Sequence, residues 1–425
     1  MSLYRRLLAS QLAQNVLSNY LTVVWMGGLS LALIPIYLGY LGPTQWGVVA
    51  VCMAMQALWG LLDAGLSQIM PRDVARHGSA AQAHVYQVYA RLYALLGLAG
   101  FALGQLAIPL LISHWFNQGA GVDPSAELAL RLVLVQFIFQ FANNANVGFW
   151  NGREQQKLAN LRQCFFGTLK HAGALGLVLG WRADAFAYLV PFAAVSALEW
   201  GINRTTVRKT LGAHSGHPVT MADLLGVTRE SGMLGLGVLV GMFVTQIDRI
   251  VLSRAVSLES FGHYVIVANL GLAFMQLQYP LMRGFLPRIV KEAGNGDNFA
   301  YKDLWKGILL LCVLPCLMVV AAAPWILEVW LGPGPAAESG LLPLRLILIA
   351  VALNAVYHVI YQRMVILGAG RATVLINIVS LVVVAPLCLI FAGVWGVVAG
   401  GLAWLGIAVV QLALGLWWWG GVRQR

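Results

Sequence analysis

Long apolar runs separated by short polar breaks dominate this chain. A bilayer hydrocarbon core of ~30 Å needs about 20 apolar residues per helix. Cut at that length, the sequence predicts twelve spans, near 17–40, 45–69, 85–113, 127–150, 159–180, 184–204, 231–254, 261–286, 304–330, 340–367, 372–391 and 394–420. Six precede the stretch from Arg204 to Arg229, which carries Gly212, Ser215, Gly216 and Pro218, and six follow it. The expected architecture is therefore an all-α polytopic membrane protein. It has a six-helix lobe over 1–210, a cytoplasmic linker over 211–229 and a second six-helix lobe over 230–425.

The two halves echo each other. Trp46-Gly47 matches Phe261-Gly262 at an offset of 215, and Pro71-Arg72 matches Pro287-Arg288 at 216. Gly152-Arg153 matches Gly370-Arg371 at 218, with Asn160 and Asn377 following. An offset longer than six spans, with equal crossing parity, predicts parallel repeats about an axis along the membrane normal, an arrangement found in transporters.

Composition excludes a water-soluble domain. Hydrophobic residues make up 60% of the 425 positions and charged residues 10%, with a mean hydropathy of +0.77; soluble domains are about 25% charged. Basic residues then set the orientation, because loops rich in Lys and Arg stay cytoplasmic. With both termini inside, 19 of the 27 Lys plus Arg fall on the cytoplasmic side, while the outer loops hold Arg182 and Arg254. The net charge of +11 thus reads as topology and attraction to anionic membrane lipids, with no nucleic-acid partner implied. All five cysteines, Cys52, Cys164, Cys312, Cys316 and Cys388, lie in expected helices, so neither a disulfide nor a metal site is expected. No cofactor motif occurs, and no Gly-rich phosphate loop with its Lys. No loop is long enough for a catalytic domain, which argues against a membrane polymerase, ligase or glycosyltransferase.

One family resemblance emerges from the order of several short motifs. These are Ile34-Pro35-Ile36-Tyr37 before Leu41-Gly42, the Trp46-Gly47 turn, Leu62-Asp63-Ala64-Gly65-Leu66, and Asp248-Arg249-Ile250-Val251-Leu252-Ser253 leading to Phe261-Gly262-His263-Tyr264. The chain resembles the Wzx-type polysaccharide transporters, lipid-linked oligosaccharide flippases of the multidrug/oligosaccharidyl-lipid/polysaccharide superfamily. That resemblance implies two lobes and alternating access in the bacterial inner membrane. The implied substrate is an undecaprenyl-diphosphate-linked oligosaccharide, carried from the cytoplasmic to the periplasmic leaflet for O-antigen, capsule or exopolysaccharide assembly. A proton or sodium ion is a candidate driver, and polysaccharide polymerase machinery a candidate partner. Two relatives in the same superfamily stand as rivals: a cation-coupled multidrug exporter and a lipid II flippase.

A diphosphate stripped of water needs charge-assisted hydrogen bonds to replace its hydration. Lys170, near the middle of the fifth span, is the first candidate, followed by Arg249, Arg91 and Arg283. Each is costly to insert, by roughly 2.5–3.5 kcal/mol at a helix centre, so each implies a compensating partner or a use. Lys170 is too deep to snorkel, which favours a lumen-facing role over a structural ion pair, whereas Arg91 and Arg283 lie near the cytoplasmic ends of their spans, within reach of the interface. Asp248, Asp63 and Glu199 are candidates for ion pairing or ion coupling. Asp248 and Arg249 are neighbours, so on a helix their side chains diverge by about 100°.

Polar stripes supply candidate sugar-lining positions. Gln136, Gln140, Asn143 and Asn144 recur along the fourth span, and Asn354, His358, Tyr361 and Gln362 along the tenth. Asn269 and Gln276 share a face with Arg283 in the eighth span. Trp150, Tyr279 and Tyr357 would back these amides with aromatic faces. The competing use of intramembrane Asn and Gln is helix-to-helix hydrogen bonding.

Overall fold

In the computed structural model the described residues are 11–63, 65–114, 124–212, 218–279, 281–282, 285, 289, 299–367 and 369–423. They form thirteen α-helices: α1 Gln11–Trp59, α2 Leu66–Arg76, α3 Ser79–His114, α4 Pro124–Gly152, α5 Gln156–Gly180, α6 Ala185–Leu211, α7 Met221–Ala255, α8 Leu258–Ala273, α9 Phe299–Ile308, α10 Leu314–Leu331, α11 Pro335–Ile366, α12 Gly370–Trp395 and α13 Val398–Arg423. No strand occurs among the described residues.

Each of the twelve expected spans coincides with a helical stretch. The first two share α1, whose 49 residues would reach about 74 Å as a straight helix, more than two hydrocarbon cores. Gly42 interrupts it with φ 73 and ψ 167, a conformation that glycine enters without a Cβ clash, and Pro43 restarts the helix. Nine stretches among the described residues are long and apolar enough to cross a membrane, the 47-residue Leu17–Asp63 counting as one. The spans on α5 and α7 fall outside those nine, and one face of α5 is polar. Gln156, Asn160, Cys164 and Thr168, four residues apart, each hydrogen-bond to α1, at Asn19, Ser18, Thr22 and Trp25 respectively.

Three boundaries differ from expectation. The second span stops at a 3₁₀ turn, Gly60–Asp63, and a short amphipathic α2 follows. Asp63 causes the break: its carboxylate accepts from the Ser67 backbone N–H and hydroxyl. The eighth span passes from α8 into a 3₁₀ turn at Phe274–Leu277. α7 begins at Met221, inside the stretch read as linker. Thr220 and Asp223 form a reciprocal capping box there, satisfying amide donors that would otherwise be orphaned.

The helices assemble into two compact units that divide between Leu239 and Val240, within α7. In the first unit α4 packs most extensively on α6, and α3 on α4, α1 on α5 and α5 on α6 follow. In the second, α11 packs most extensively on α13, followed by α12 on α13, α8 on α11 and α10 on α11. Counted by span, the leading contact is fourth on sixth in both units. The residues of the repeat carry weight in this packing. Trp46 and Phe261 are both fully buried. A Cβ on Gly152 would lie 2.6 Å from the Pro71 carbonyl, so the end of α4 closes on α2 only because the residue is glycine. Arg283, Pro287 and Arg288 lie outside the described residues.

Candidate functional site

Polar groups buried between the helices of the first unit form one connected chain. Lys170 on α5 reaches Glu199 on α6, Nζ to Oε2 at 2.8 Å, and both side chains are 13% exposed. The other carboxylate oxygen of Glu199 accepts from Asn143 on α4 at 3.2 Å. Asn143 Oδ1 in turn accepts from Asn146 at 2.9 Å and from Asn203 at 3.0 Å. The α3 residue Tyr86 donates to Asn146 at 2.7 Å. At the far end Arg162 donates from Nη1 to Asn203 at 2.8 Å and from Nη2 to Thr206 at 3.0 Å, with its guanidinium 4.9 Å over the Trp150 ring.

A neutral counterpart occupies the second unit. Asn354 on α11 donates to Gln411 on α13 at 3.3 Å, and Gln411 donates to Asn377 on α12 at 3.0 Å. Gln278 adds a donor to Asn354 at 3.2 Å. The fourth, sixth and fifth spans are thus joined through Asn143, Glu199 and Lys170, and the tenth, twelfth and eleventh through Asn354, Gln411 and Asn377. Asn354 and Gln411 follow Asn143 and Glu199 at offsets of 211 and 212, whereas Asn377 answers to Asn160 in the sequence repeat and not to Lys170. Both units carry a polar seam between the same three spans, charged in the first and neutral in the second.

Among the other expected cations, Arg249 donates to Asn269 on α8 at 2.7 Å, a neutral partner, and has no ion pair among the described residues. Arg91 is exposed and donates to the Val219 carbonyl at 3.1 Å. Arg283 lies outside the described residues. Asp248 diverges from Arg249: it is 1% exposed and accepts from Tyr264 and from the Trp404 indole. Asp63 accepts from Tyr93 at 2.7 Å as well as from Ser67. Both donors to Asp248 reach Oδ2, and its Oδ1 is buried with no hydrogen-bond partner among the described residues.

The expected sugar-lining residues divide. Gln136 and Gln140 are joined at 3.2 Å on one face of α4, with Gln140 exposed and Asn144 half-buried. Asn143, seven residues from the buried Gln136 and so within about 20° of its direction, faces the α4–α6 seam, whereas its neighbour Asn144 points about 100° away. In the second unit His358 shares an aromatic cluster with Tyr279, Tyr357 and Tyr361 at centroid distances of 5.6–6.2 Å. Gln276 and Tyr279 are exposed and Tyr361 is half-buried, whereas Gln362 and Tyr357 are buried. Trp150, expected as an aromatic face for sugars, is 1% exposed within its unit's core. Sequence reading missed Arg162, Tyr86, Asn146 and Asn203. The available signal was spacing: Arg162 and Lys170 are eight apart on α5, and Glu199 and Asn203 four apart on α6, so each cation meets one polar group.

No family model matches the chain. A Shigella flexneri protein named as an O-antigen transporter is 21% identical over 390 residues, which cover 89% of this chain and 90% of that protein. The lipid II flippase MurJ, solved in an inward closed conformation, superposes with a TM-score of 0.78 at 13% identity, covering 95% of this chain and 86% of MurJ. An inward-facing multidrug resistance MATE transporter of the MOP superfamily gives a TM-score of 0.62 at 17% identity, covering 96% and 94% of the two chains. The Vibrio cholerae MATE transporter VcmN in its bent form gives 0.57 at 12% identity, covering 98% and 97%. The chain has the helical fold of these MOP transporters. The resemblance drawn from its short motifs points to the same superfamily, and these relatives are flippases and transporters rather than enzymes.

Proposed function

We propose that this chain is a flippase of the bacterial inner membrane. It carries an undecaprenyl-diphosphate-linked oligosaccharide from the cytoplasmic to the periplasmic leaflet by alternating access, with both termini cytoplasmic. The reading rests on one observation: the similarity to the O-antigen transporter runs through 89% of this chain and 90% of that protein. The charge arrangement supports an anionic cargo. Glu199 is paired with Lys170 and Asp63 accepts from Tyr93 and Ser67, while Arg249 keeps a charge that its amide partner does not cancel.

Within this proposal Arg249 is the principal diphosphate ligand, because Lys170 is neutralised by Glu199 and becomes available only when that pair opens. Arg91 and Arg283 are secondary candidates. Gln276 and Asn269, with the His358, Tyr279 and Tyr361 cluster, offer amides and aromatic faces to the sugar, and Gln136, Gln140 and Asn144 do so from α4. Lipid II, also a diphosphate lipid, is the second reading, favoured by the MurJ superposition.

Reconstitution into vesicles tests the proposal. Fluorescent undecaprenyl-diphosphate oligosaccharide, lipid II and a cationic dye would be compared for appearance in the opposite leaflet. The oligosaccharide is expected to move fastest. Arg249→Ala is expected to slow it roughly 10-fold or more, since a hydrogen bond to a charged group contributes about 1.5–3 kcal/mol. Wild-type rates equal to those of empty vesicles would sink the proposal, and faster lipid II movement would replace it with the second reading.

A further inference from the structure

Arg162 sits six residues into α5, near the end where an arginine ordinarily snorkels toward headgroups. It does the opposite. Its guanidinium folds inward onto Trp150 and Asn203, each 1% exposed, and is gripped from three sides by the indole, the Asn203 amide and the Thr206 hydroxyl. No carboxylate lies within ion-pair distance of it among the described residues; the one nearby acid in the polar chain, Glu199, is satisfied by Lys170. Beneath the guanidinium, Trp150 holds its Nε1–H buried with no acceptor among the described residues. A half-buried cation whose partners are all neutral, above an indole N–H without an acceptor, retains charge and donors for an anion.

We propose that Arg162 is the first protein contact for the diphosphate of the substrate. The inference rests on the diphosphate reading of function above. A planar guanidinium presents paired N–H donors that match phosphate oxygens. Asn203, Thr206 and Trp150 are positioning residues that fix its plane before the anion arrives, so little ordering remains to oppose binding. Lys170 lies eight residues, about 12 Å, farther along the same helix and is joined to Arg162 through Asn203, Asn143 and Glu199. An anion seated at Arg162 is therefore one step from the group that would receive it once Glu199 lets go.

The purified full chain permits two measurements. In the first, phenylglyoxal labelling with peptide mapping reads the accessibility of Arg162 against Arg153, with and without farnesyl diphosphate, inorganic pyrophosphate or phosphatidylglycerol. Farnesyl diphosphate and pyrophosphate are expected to protect Arg162 at least fivefold and to leave Arg153 unchanged. Equal protection by phosphatidylglycerol would make this a bulk-headgroup site and overturn the assignment. An Arg162 that the reagent never reaches, or that the diphosphates never protect, would overturn it too.

In the second, thermal unfolding monitors farnesyl diphosphate binding to wild type, Arg162→Lys and Arg162→Gln. Affinity is expected to fall about tenfold or more in Arg162→Gln and by less in Arg162→Lys, which keeps the charge and loses the planar fork. If the diphosphates fail to raise the wild-type melting temperature, the functional reading fails; if both variants bind as wild type does, only Arg162 is refuted. Should neither variant fold, the labelling of wild type still decides.

Discussion

Lys170 and Glu199 illustrate what one buried charge pair contributes. Removing either partner leaves an uncompensated ion at membrane depth, a loss of about 3–5 kcal/mol in the buried pairs where it has been measured. The second unit shows the neutral alternative, amides joining the same three spans. Lys170→Ala and Glu199→Ala are each expected to lower the melting temperature of the detergent-solubilised protein markedly. The double change Lys170→Asn with Glu199→Gln is expected to recover about 1–3 kcal/mol relative to the sum of Lys170→Asn and Glu199→Gln alone, the coupling typical of contacting residues. Strict additivity would show that the two side chains do not act as a pair. The divergence of Asp248 from Arg249 could be read from helical geometry. Their partners could not, because Tyr264, Trp404 and Asn269 come from two other helices.

Helix boundaries were legible where the residue itself makes the boundary. Gly42 breaks α1 through its own backbone, and the apolar run lengths located the spans to within a few residues. The start of α7 was missed because low hydropathy masked a good capping signal at Thr220-x-x-Asp223. That cap has a pH signature. The Thr220 backbone N–H and hydroxyl, and then His84 at 3.7 Å, hold the Asp223 carboxyl below the usual carboxylate range. A depressed folded value means that the contribution to stability is present above the unfolded pKa of about 3.9 and is lost as pH falls through the folded one. Amide exchange over 220–226, corrected for intrinsic rates, is expected to lose protection on going from pH 6 to pH 3. In Asp223→Asn the protection should be flat across that range; an unchanged pH dependence would remove Asp223 as its source.

The chain as a whole carries an orientation written in its charges, 19 basic residues assigned to one side against Arg182 and Arg254 in the outer loops. Green fluorescent protein fused after Arg425 is expected to fluoresce. Alkaline phosphatase is expected to be inactive at that position and active when inserted after Ala183, between α5 and α6; the reverse pattern would invert the proposed topology. By itself the sequence determined the membrane class, the helical spans and the duplication, because each follows from short-range properties: run length, composition and the recurrence of bulky and glycine residues. Only the tertiary structure decided which polar residues meet. At lipid depth a buried amide or ion is satisfied by whichever neighbouring helix presents a partner at the same level, and that depends on packing. Packing bound Lys170 to Glu199, joined Asn143 to Glu199 and Asn203, buried Trp150, and drew Arg162 inward from the interface where its position in the sequence had placed it.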